Sequence, residues 1–403
     1  MELLAPAGNM EKLKTAIYFG ADAVYVAGKK FGLRAFAGNF DENELLEASN
    51  FVHENHKKIY VTVNIVAHNA DFDGLVDYLK FLEEIGVDAI IVSDIGIMQI
   101  AKQCAPKLDI HVSTQANVTN KFTAKFFADF GAKRIVLARE LSLVEIKEIR
   151  DFLPADVELE CFVHGAMCIS YSGRCLLSNY LTSRDGNRGA CVQACRWEYT
   201  ICEKSRGGDG YEIQEDNRGT YILNSKDLNM IQHLKELEEA GVESLKIEGR
   251  MKSAYYVGNN VNAYRRTLDS LKNGIPLSNE IYNETFKSSH RKYTTGFYFG
   301  RDESECLESS MPVQSHEFMA VVIADQNNGE TVIQQRNRFV VGDILEVLSP
   351  NQTFNKQILV EKMYDLNGNV VVDAKNVKEQ LILKTNLPLK SGDILRKEIL
   401  NIY

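Results

Sequence analysis

The chain has 403 residues, 45% hydrophobic and 25% charged, with a formal net charge of -9. That is enough chain for two or three domains with sizeable cores and an ordinary composition for a globular protein. The acidic balance argues against sequence-independent coating of nucleic acid, which depends on neutralising phosphates, but not against a local basic groove. No uninterrupted apolar run approaches the roughly 18 residues of a membrane helix. The opening Met1-Glu2-Leu3-Leu4-Ala5-Pro6-Ala7-Gly8 shows neither the basic nor the apolar region of a secretory signal. A cytoplasmic location with reduced thiols is therefore expected.

Residues 1–163 alternate short β-branched runs with amphipathic helical stretches. The predicted strands are 2–5, 23–27, 59–65, 89–93, 110–113, 134–138 and 157–163; the helices between them include 9–19, 42–54, 74–85, 121–130 and 143–152. Strict alternation of strand and helix implies right-handed crossovers and a parallel sheet. Residues 227–240 read as a helix, 244–247 as an eighth strand and 253–271 as a closing helix. Eight such units predict a (β/α)8 TIM-like barrel over 1–272. An open doubly wound sheet lacks its expected Gly-x-Gly-x-x-Gly turn after the first strand.

Between the seventh and eighth strands lies a cysteine-rich insertion, about 164–219. Cys168, Cys175, Cys191 and Cys195 are separated by six, fifteen and three residues. Soft thiolates gathered in one loop-rich segment select zinc, copper(I) or an iron–sulfur cluster. Structural zinc prefers pairs spaced by two to four residues, which only Cys191 and Cys195 offer, so the spacing leans to iron–sulfur while leaving zinc open. Cys161, inside a predicted strand, reads as a small buried hydrophobe. Residues 203–219, rich in Gly, Asp and Arg, read as a mobile loop.

Residues 273–315 form a polar connecting segment. From 316 to 403 the period changes to two, with strands predicted at 318–323, 331–335, 344–348, 357–361, 370–374, 380–383 and 394–397. Asn328-Gly329 and Asn367-Gly368 are hairpin turn signals, and Gly-Asp-Ile-Leu occurs at both 342–345 and 392–395. A small closed C-terminal β-barrel domain is the expectation.

In a parallel barrel the residues ending each strand face one mouth, where function concentrates. Here they are Asn64, Asp94, Ser113, Gln115, Arg139, Glu140, His164, Lys246, Glu248 and Arg250, with Arg34 and Asn39 in the loop after the second strand. Several cations facing one pocket suggest a carboxylate or phosphate ligand. Each also has a plainer reading: Asp94 and Ser113 as helix caps, Glu140 and Lys246 as ion-pair partners. His164, four residues before Cys168, is the leading acid/base candidate, equally readable as a packed histidine. There is no His-Glu-x-x-His, Gly-x-Ser-x-Gly or P-loop, and no three-cysteine motif with gaps of three and two.

The run Glu160-x-Phe162-x-x-Gly165-Ala166-Met167-Cys168-x4-Gly173-x-Cys175-x-Leu177-Ser178 resembles the signature of peptidase family U32, the collagenase-like group. So do Glu2–Gly8, Arg34-x4-Asn39-Phe40, His111-x-Ser113-Thr114-Gln115, Lys246-Ile247-Glu248-Gly249-Arg250 and Tyr293-Thr294-Thr295-Gly296. Phe36 stands where the family more often has a second arginine. The tail resembles the family's C-terminal domain, which marks the tRNA-hydroxylating branch. The resemblance implies prephenate-dependent conversion of a wobble uridine in tRNA to 5-hydroxyuridine. It implies a [4Fe–4S] cluster on Cys168, Cys175, Cys191 and Cys195. Arg34, Asn39, Asn64, Gln115, Arg139, Lys246 and Arg250, at the barrel mouth, are the expected substrate contacts. Glu160, His164 and Glu248 are the expected catalytic groups. Lys287, Arg291, Lys292 and Tyr293, together with Lys378, Lys384, Lys390, Arg396 and Lys397, are candidate RNA contacts. A peptidase and a non-catalytic RNA-binding adaptor with a structural metal are the rival readings.

Overall fold

A computed structural model describes residues 1–32, 39–168, 170, 174–175, 177–182, 184, 186, 190–194, 197, 215–216, 219–220, 226–300 and 312–399. Seven strands alternate with six helices: β1 (Glu2–Pro6), α1 (Met10–Tyr18), β2 (Ala23–Val26), α2 (Glu42–Glu54), β3 (Lys58–Val63), α3 (Leu75–Glu84), β4 (Ala89–Val92), α4 (Ile95–Cys104), β5 (Asp109–Val112), α5 (Lys121–Phe130), β6 (Arg134–Val136), α6 (Leu143–Phe152) and β7 (Glu158–Ala166). After them come α7 (Leu177–Thr182), a short hairpin of β8 (Glu215–Asp216) and β9 (Gly219–Thr220), β10 (Asp227–Asn229), α8 (Leu234–Glu239), β11 (Ser244–Ile247), α9 (Ala254–Lys272), α10 (Asn279–Glu284) and β12 (Tyr293–Thr294).

Strands β1 to β7 pair in parallel in sequence order, and β11 pairs in parallel with both β1 and β7. The expected eight-stranded parallel barrel is therefore closed. Local sequence sets its helix starts. Asp41 and Glu44 form a reciprocal capping box on α2, Ser142 and Glu145 another on α6, and Asn120 caps α5. Asp94 is a cap on α4, its carboxylate accepting from Ile97 N at 3.0 Å.

The helix expected over 227–240 divides. Residues 227–229 instead form β10, antiparallel to the end of β7, with Asn229 facing His164. Strand β7 outruns its barrel neighbours, and its exposed edge recruits β10. The Asn229 side chain then accepts from Ile231 N at 3.2 Å, opening a 3-10 turn that leads into α8. Residues 203–219 lie almost wholly outside the described residues.

Alternation along the strands places two kinds of layer inside the barrel. One is apolar and aromatic: Leu4, Ala23, Tyr25, Tyr60, Ala89 and Ile91. The other is charged, where barrels of this class usually carry branched aliphatics. Arg134 Nη1 lies 2.6 Å from Glu2 and 3.1 Å from Glu160, and Lys246 Nζ lies 2.7 Å from the other Glu160 oxygen. Ser244 and Tyr60 add hydroxyl bonds to Glu2 at 2.9 and 2.7 Å. Burial by itself would raise the Glu2 carboxyl, but the Arg134 charge and these hydrogen bonds outweigh it and hold it below its ordinary value.

The chain divides into two compact units. One holds Met1–Leu13, Ala21–Met251 and Arg291–Met311; the other holds Lys14–Gly20, Lys252–His290 and Pro312–Tyr403. Helix α9 and residues 273–290 thus group with the tail, where the sequence suggested boundaries at 272 and 316.

The tail contains β13 (His316–Val322), β14 (Glu330–Gln335), β15 (Phe339–Val340), β16 (Ile344–Leu348), β17 (Gln357–Leu359), β18 (Met363–Asp365), β19 (Val370–Val371), β20 (Asp373–Ala374), β21 (Gln380–Lys384) and β22 (Ile394–Glu398). Eight of these make an antiparallel sheet in the order β17-β16-β22-β13-β14-β21-β18-β19. Its end strands do not pair with each other among the described residues, so the domain is a half-barrel rather than the closed barrel expected. The predicted strand 370–374 splits because β19 joins β18 while β20 pairs with β15. Both Gly-Asp-Ile-Leu copies perform one job. Gly342 and Gly392 sit at φ 99° and 100°, and the following aspartates accept from Val340 N and Lys390 N at 2.9 Å.

Arg396 has no exposed surface and is held by Glu284 at 2.8 Å, by Asn259 at 2.7 Å and by Glu346. Lys287 joins the same carboxylates at 2.7 and 2.8 Å. These contacts remove both residues as RNA contacts. Lys384, Lys390 and Lys397 face Glu330, Asp325 and Asp343.

Removing one member of a buried ion network strands the others. Arg134→Leu should cost about 3–5 kcal/mol of stability in urea unfolding, and a loss under ~1 kcal/mol would contradict the account. A depressed carboxyl stabilises fully above its unfolded value and loses that contribution as pH falls through its folded value. Glu2→Gln should therefore flatten the fall in stability below about pH 4.5 and leave the slope above pH 6 unchanged.

Candidate functional site

The C-terminal ends of the barrel strands surround a cleft of about 560 Å³, open solvent included. Its described lining is Tyr25, Thr62, Asn64, Ile91, Ser113, Thr114, Gln115, Val136, Arg139, Phe162, Lys246, Glu248 and Arg250. Seven of the expected mouth residues are thus brought together: Asn64, Ser113, Gln115, Arg139, Lys246, Glu248 and Arg250.

Each is positioned by a local cause. Lys246 reaches inward from β11, its ammonium 4.5 Å from the Tyr25 ring centre and 5.5 Å from that of Phe162, while Glu160 holds it. Burial lowers the Lys246 pKa; the attraction of Glu160 only partly restores it. The β7–β11 register slips between Lys246 and Ile247, an irregularity that re-aims the residues at the mouth. Glu248 then accepts from the Tyr25 hydroxyl at 3.2 Å, and its N–H donates to His164 O at 2.9 Å. The Arg139 guanidinium lies 3.9 Å from the Phe162 ring centre and donates to Ala166 O at 2.7 Å. Arg250 is buried and donates to the Thr62 hydroxyl at 3.1 Å. Gly8 is required here: a Cβ would come within 2.4 Å of Arg250 O. Asn64 donates to the Ser113 hydroxyl at 3.2 Å; its side-chain amide oxygen and that of Gln115 have no partner among the described residues.

Other expectations fall elsewhere. Glu160 lies beneath the cleft, between Arg134 and Lys246, and does not line it. His164 is buried, its ring 5.4 Å from that of Tyr293, and it too is absent from the described lining. Asn39 is described but does not line the cleft, and Arg34 lies outside the described residues. The sequence reading missed Tyr25, Thr62 and Phe162. A signal was present: Tyr60, Thr62 and Asn64 are spaced by two on one strand, as are Glu160, Phe162 and His164 on another. Arg134, the arginine inside the barrel, was passed over as a strand start.

Beyond β7 the cysteine segment is organised by Ser178. Its hydroxyl donates to Arg184 O at 2.7 Å and accepts from Val192 N at 3.1 Å. One side chain thereby ties the turn of Cys175 to that of Cys191. The Cys175 sulfur accepts from Leu177 N and the Cys191 sulfur from Gln193 N, both at 3.3 Å. Cys168, Cys175 and Cys191 carry thiols rather than disulfides. Among the described residues no three His, Cys, Asp or Glu side chains converge to hold a single metal ion, and Cys195 lies outside them. Thiolates that receive backbone N–H bonds would suit an iron–sulfur cluster or a zinc ion alike. Cys161 is a buried thiol, pushed up to about 12 mainly by desolvation.

Among the described residues no helix is long and apolar enough to cross a membrane. The chain is similar to the "tRNA hydroxylation protein P1" of Bacillus subtilis, 38% identical over 402 residues, which span 98% of this chain and 94% of that protein. It is 46% identical over 304 residues to an uncharacterised protease of Methanocaldococcus jannaschii, spanning 74% of this chain and 73% of the relative. It is 39% identical over 271 residues to a 23S rRNA 5-hydroxycytidine synthase of Escherichia coli, spanning 67% of this chain and 40% of that one. The model of the family described as "Peptidase family U32" matches residues 8–308, and that of "Peptidase family U32 C-terminal domain" matches 314–396. This chain, with its closed barrel and antiparallel tail, belongs to peptidase family U32.

Proposed function

We propose that this protein hydroxylates a pyrimidine in RNA: the wobble uridine of tRNA, to 5-hydroxyuridine, with prephenate as co-substrate, in the cytoplasm. The observation that carries the reading is the near full-length similarity to a protein named for tRNA hydroxylation. The cleft supports it. Arg139, Lys246 and Arg250 set three cations around a partly apolar pocket, suited to a dicarboxylate with an apolar ring. The side-chain amide oxygens of Asn64 and Gln115, unpartnered among the described residues, can accept from a hydroxyl or an imide N–H. A base must leave its stack to reach such a site.

Cys168, Cys175, Cys191 and Cys195 would hold a [4Fe–4S] cluster, which when bound would supply electron transfer. Within the chain, Glu160 keeps Lys246 in place and Tyr25 orients Glu248, whose carboxylate can take or return a proton at the mouth. His164, on β7 four residues before Cys168, is a second candidate for moving a proton, on the cysteine side.

The protease name of one relative raises peptide hydrolysis. That reaction needs a nucleophile with an adjacent base. Of the aliphatic hydroxyls in the described lining, Ser113 accepts from Asn64 and Gln115 N, Thr62 accepts from Arg250 and Thr114 donates to Leu137 O, and no histidine or cysteine is in that lining.

Anaerobically purified protein should show a broad band near ~400 nm with roughly four irons per chain, and Cys191→Ala should lose both. A colourless protein holding one zinc would remove the cluster. Incubated with tRNA and prephenate, the loaded protein should form 5-hydroxyuridine detectable by nucleoside mass spectrometry. Arg250→Gln should raise the prephenate requirement at least about tenfold, the loss of one charge-assisted pair. Unmodified tRNA with fully loaded protein, prephenate and a reductant would overturn the reading.

A further inference from the structure

We infer that Lys246 captures the ketone of a 2-oxo carboxylate as an iminium, making the cleft a carbonyl-binding site as well as an anion site. The inference rests on the reading of this cleft as the seat of an anionic co-substrate and names the covalent chemistry that reading leaves open.

Lys246 is an amine at the C-terminal end of a barrel strand, lining the cleft yet only 4% exposed. An amine becomes a carbonyl nucleophile when burial disfavours its charged form and a neighbouring base can take its proton. Both conditions hold. Desolvation lowers its affinity for the proton more than the Glu160 attraction raises it, and the Arg134 charge acts in the same direction as desolvation. Glu160, 2.7 Å away, is a proton acceptor already in contact. The carboxylate is shared: its second oxygen faces Arg134, so it does not neutralise Lys246 alone. The Tyr25 ring limits the directions the amine can take. Two guanidiniums, Arg139 and Arg250, line the same cleft and suit the carboxylate next to the ketone.

The step balances without an oxidant or reductant. Glu160 takes one proton from the ammonium, and the amine adds to the ketone carbon to give a carbinolamine. The proton held by Glu160 returns to the carbinolamine hydroxyl, which leaves as water, and Glu160 is again a carboxylate beside a C=N⁺ bond between Lys246 and the former ketone carbon. The iminium withdraws electrons from the adjacent carbons more strongly than the ketone it replaces.

The test is reductive trapping on the full-length protein with pyruvate as the probe and cyanoborohydride as the reductant, read by intact mass and peptide mapping. The expected result is one adduct per chain, on the peptide that contains Lys246, with none when lactate replaces pyruvate. Arg250→Gln should lower the yield at Lys246 severalfold at limiting pyruvate, without relying on a lysine variant that fails to fold. Absence of label at Lys246, or label spread over surface lysines with equal yield, would overturn the inference. Trapping needs neither RNA nor cluster. A labelled Lys246 in a protein that leaves tRNA unmodified would keep this inference and remove the function proposed above; an unlabelled Lys246 in a protein that hydroxylates tRNA would do the reverse.

Discussion

A carboxylate with no exposed surface sits inside the barrel, and much of the site depends on it. Glu160 cannot remain ionised there without partners, because desolvating a lone carboxylate costs far more than the fold can spare. Arg134 and Lys246 supply them, from strands on either side of β7. Arg134 in turn draws in Glu2 from β1, so strands β1, β6, β7 and β11 are joined through one charged layer. The consequence above that layer is a lysine whose tip is held at the cleft floor. An aliphatic interior would pack the barrel as well, but it would leave that amine without an anchor.

Strand β7 connects the rest. Its alternate residues Glu160, Phe162 and His164 pass from the charged layer, through the cleft wall, to the edge where β10 pairs. Because β7 continues beyond the barrel, the chain leaves at the mouth, and the cysteine segment begins two residues after its last strand residue. Ser178 then ties the turns of Cys175 and Cys191 by two hydrogen bonds. The same rigid strand thus bears both the cleft and the origin of the candidate cluster loop, the arrangement a site on precise elements requires.

The second unit uses the same physics for a different end. Arg396 is buried among Glu284, Glu346 and Asn259, linking α9, α10 and the tail sheet. Charge written into the sequence was there read as surface for RNA, and tertiary structure put it in a core. The repeated Gly-Asp-Ile-Leu fared better, since a left-handed glycine followed by an aspartate that accepts a backbone N–H is a local device.

What the amino-acid sequence determined by itself was whatever depends on neighbours in the chain. Helices α2, α5 and α6 were legible to the residue because capping residues and apolar spacing are local. The parallel barrel followed from strict alternation, and seven cleft residues followed from their places at strand ends. What only the tertiary structure decided were pairings between distant strands. Asp227–Asn229 became a strand because the free edge of β7 was available, overriding a helical pattern. Arg134 and Glu160 proved to be partners inside the barrel, and Arg396 proved internal, because which charges meet depends on register and closure. Sequence spacing carries no record of either, and burying a charge is settled only where its partners come from other parts of the chain.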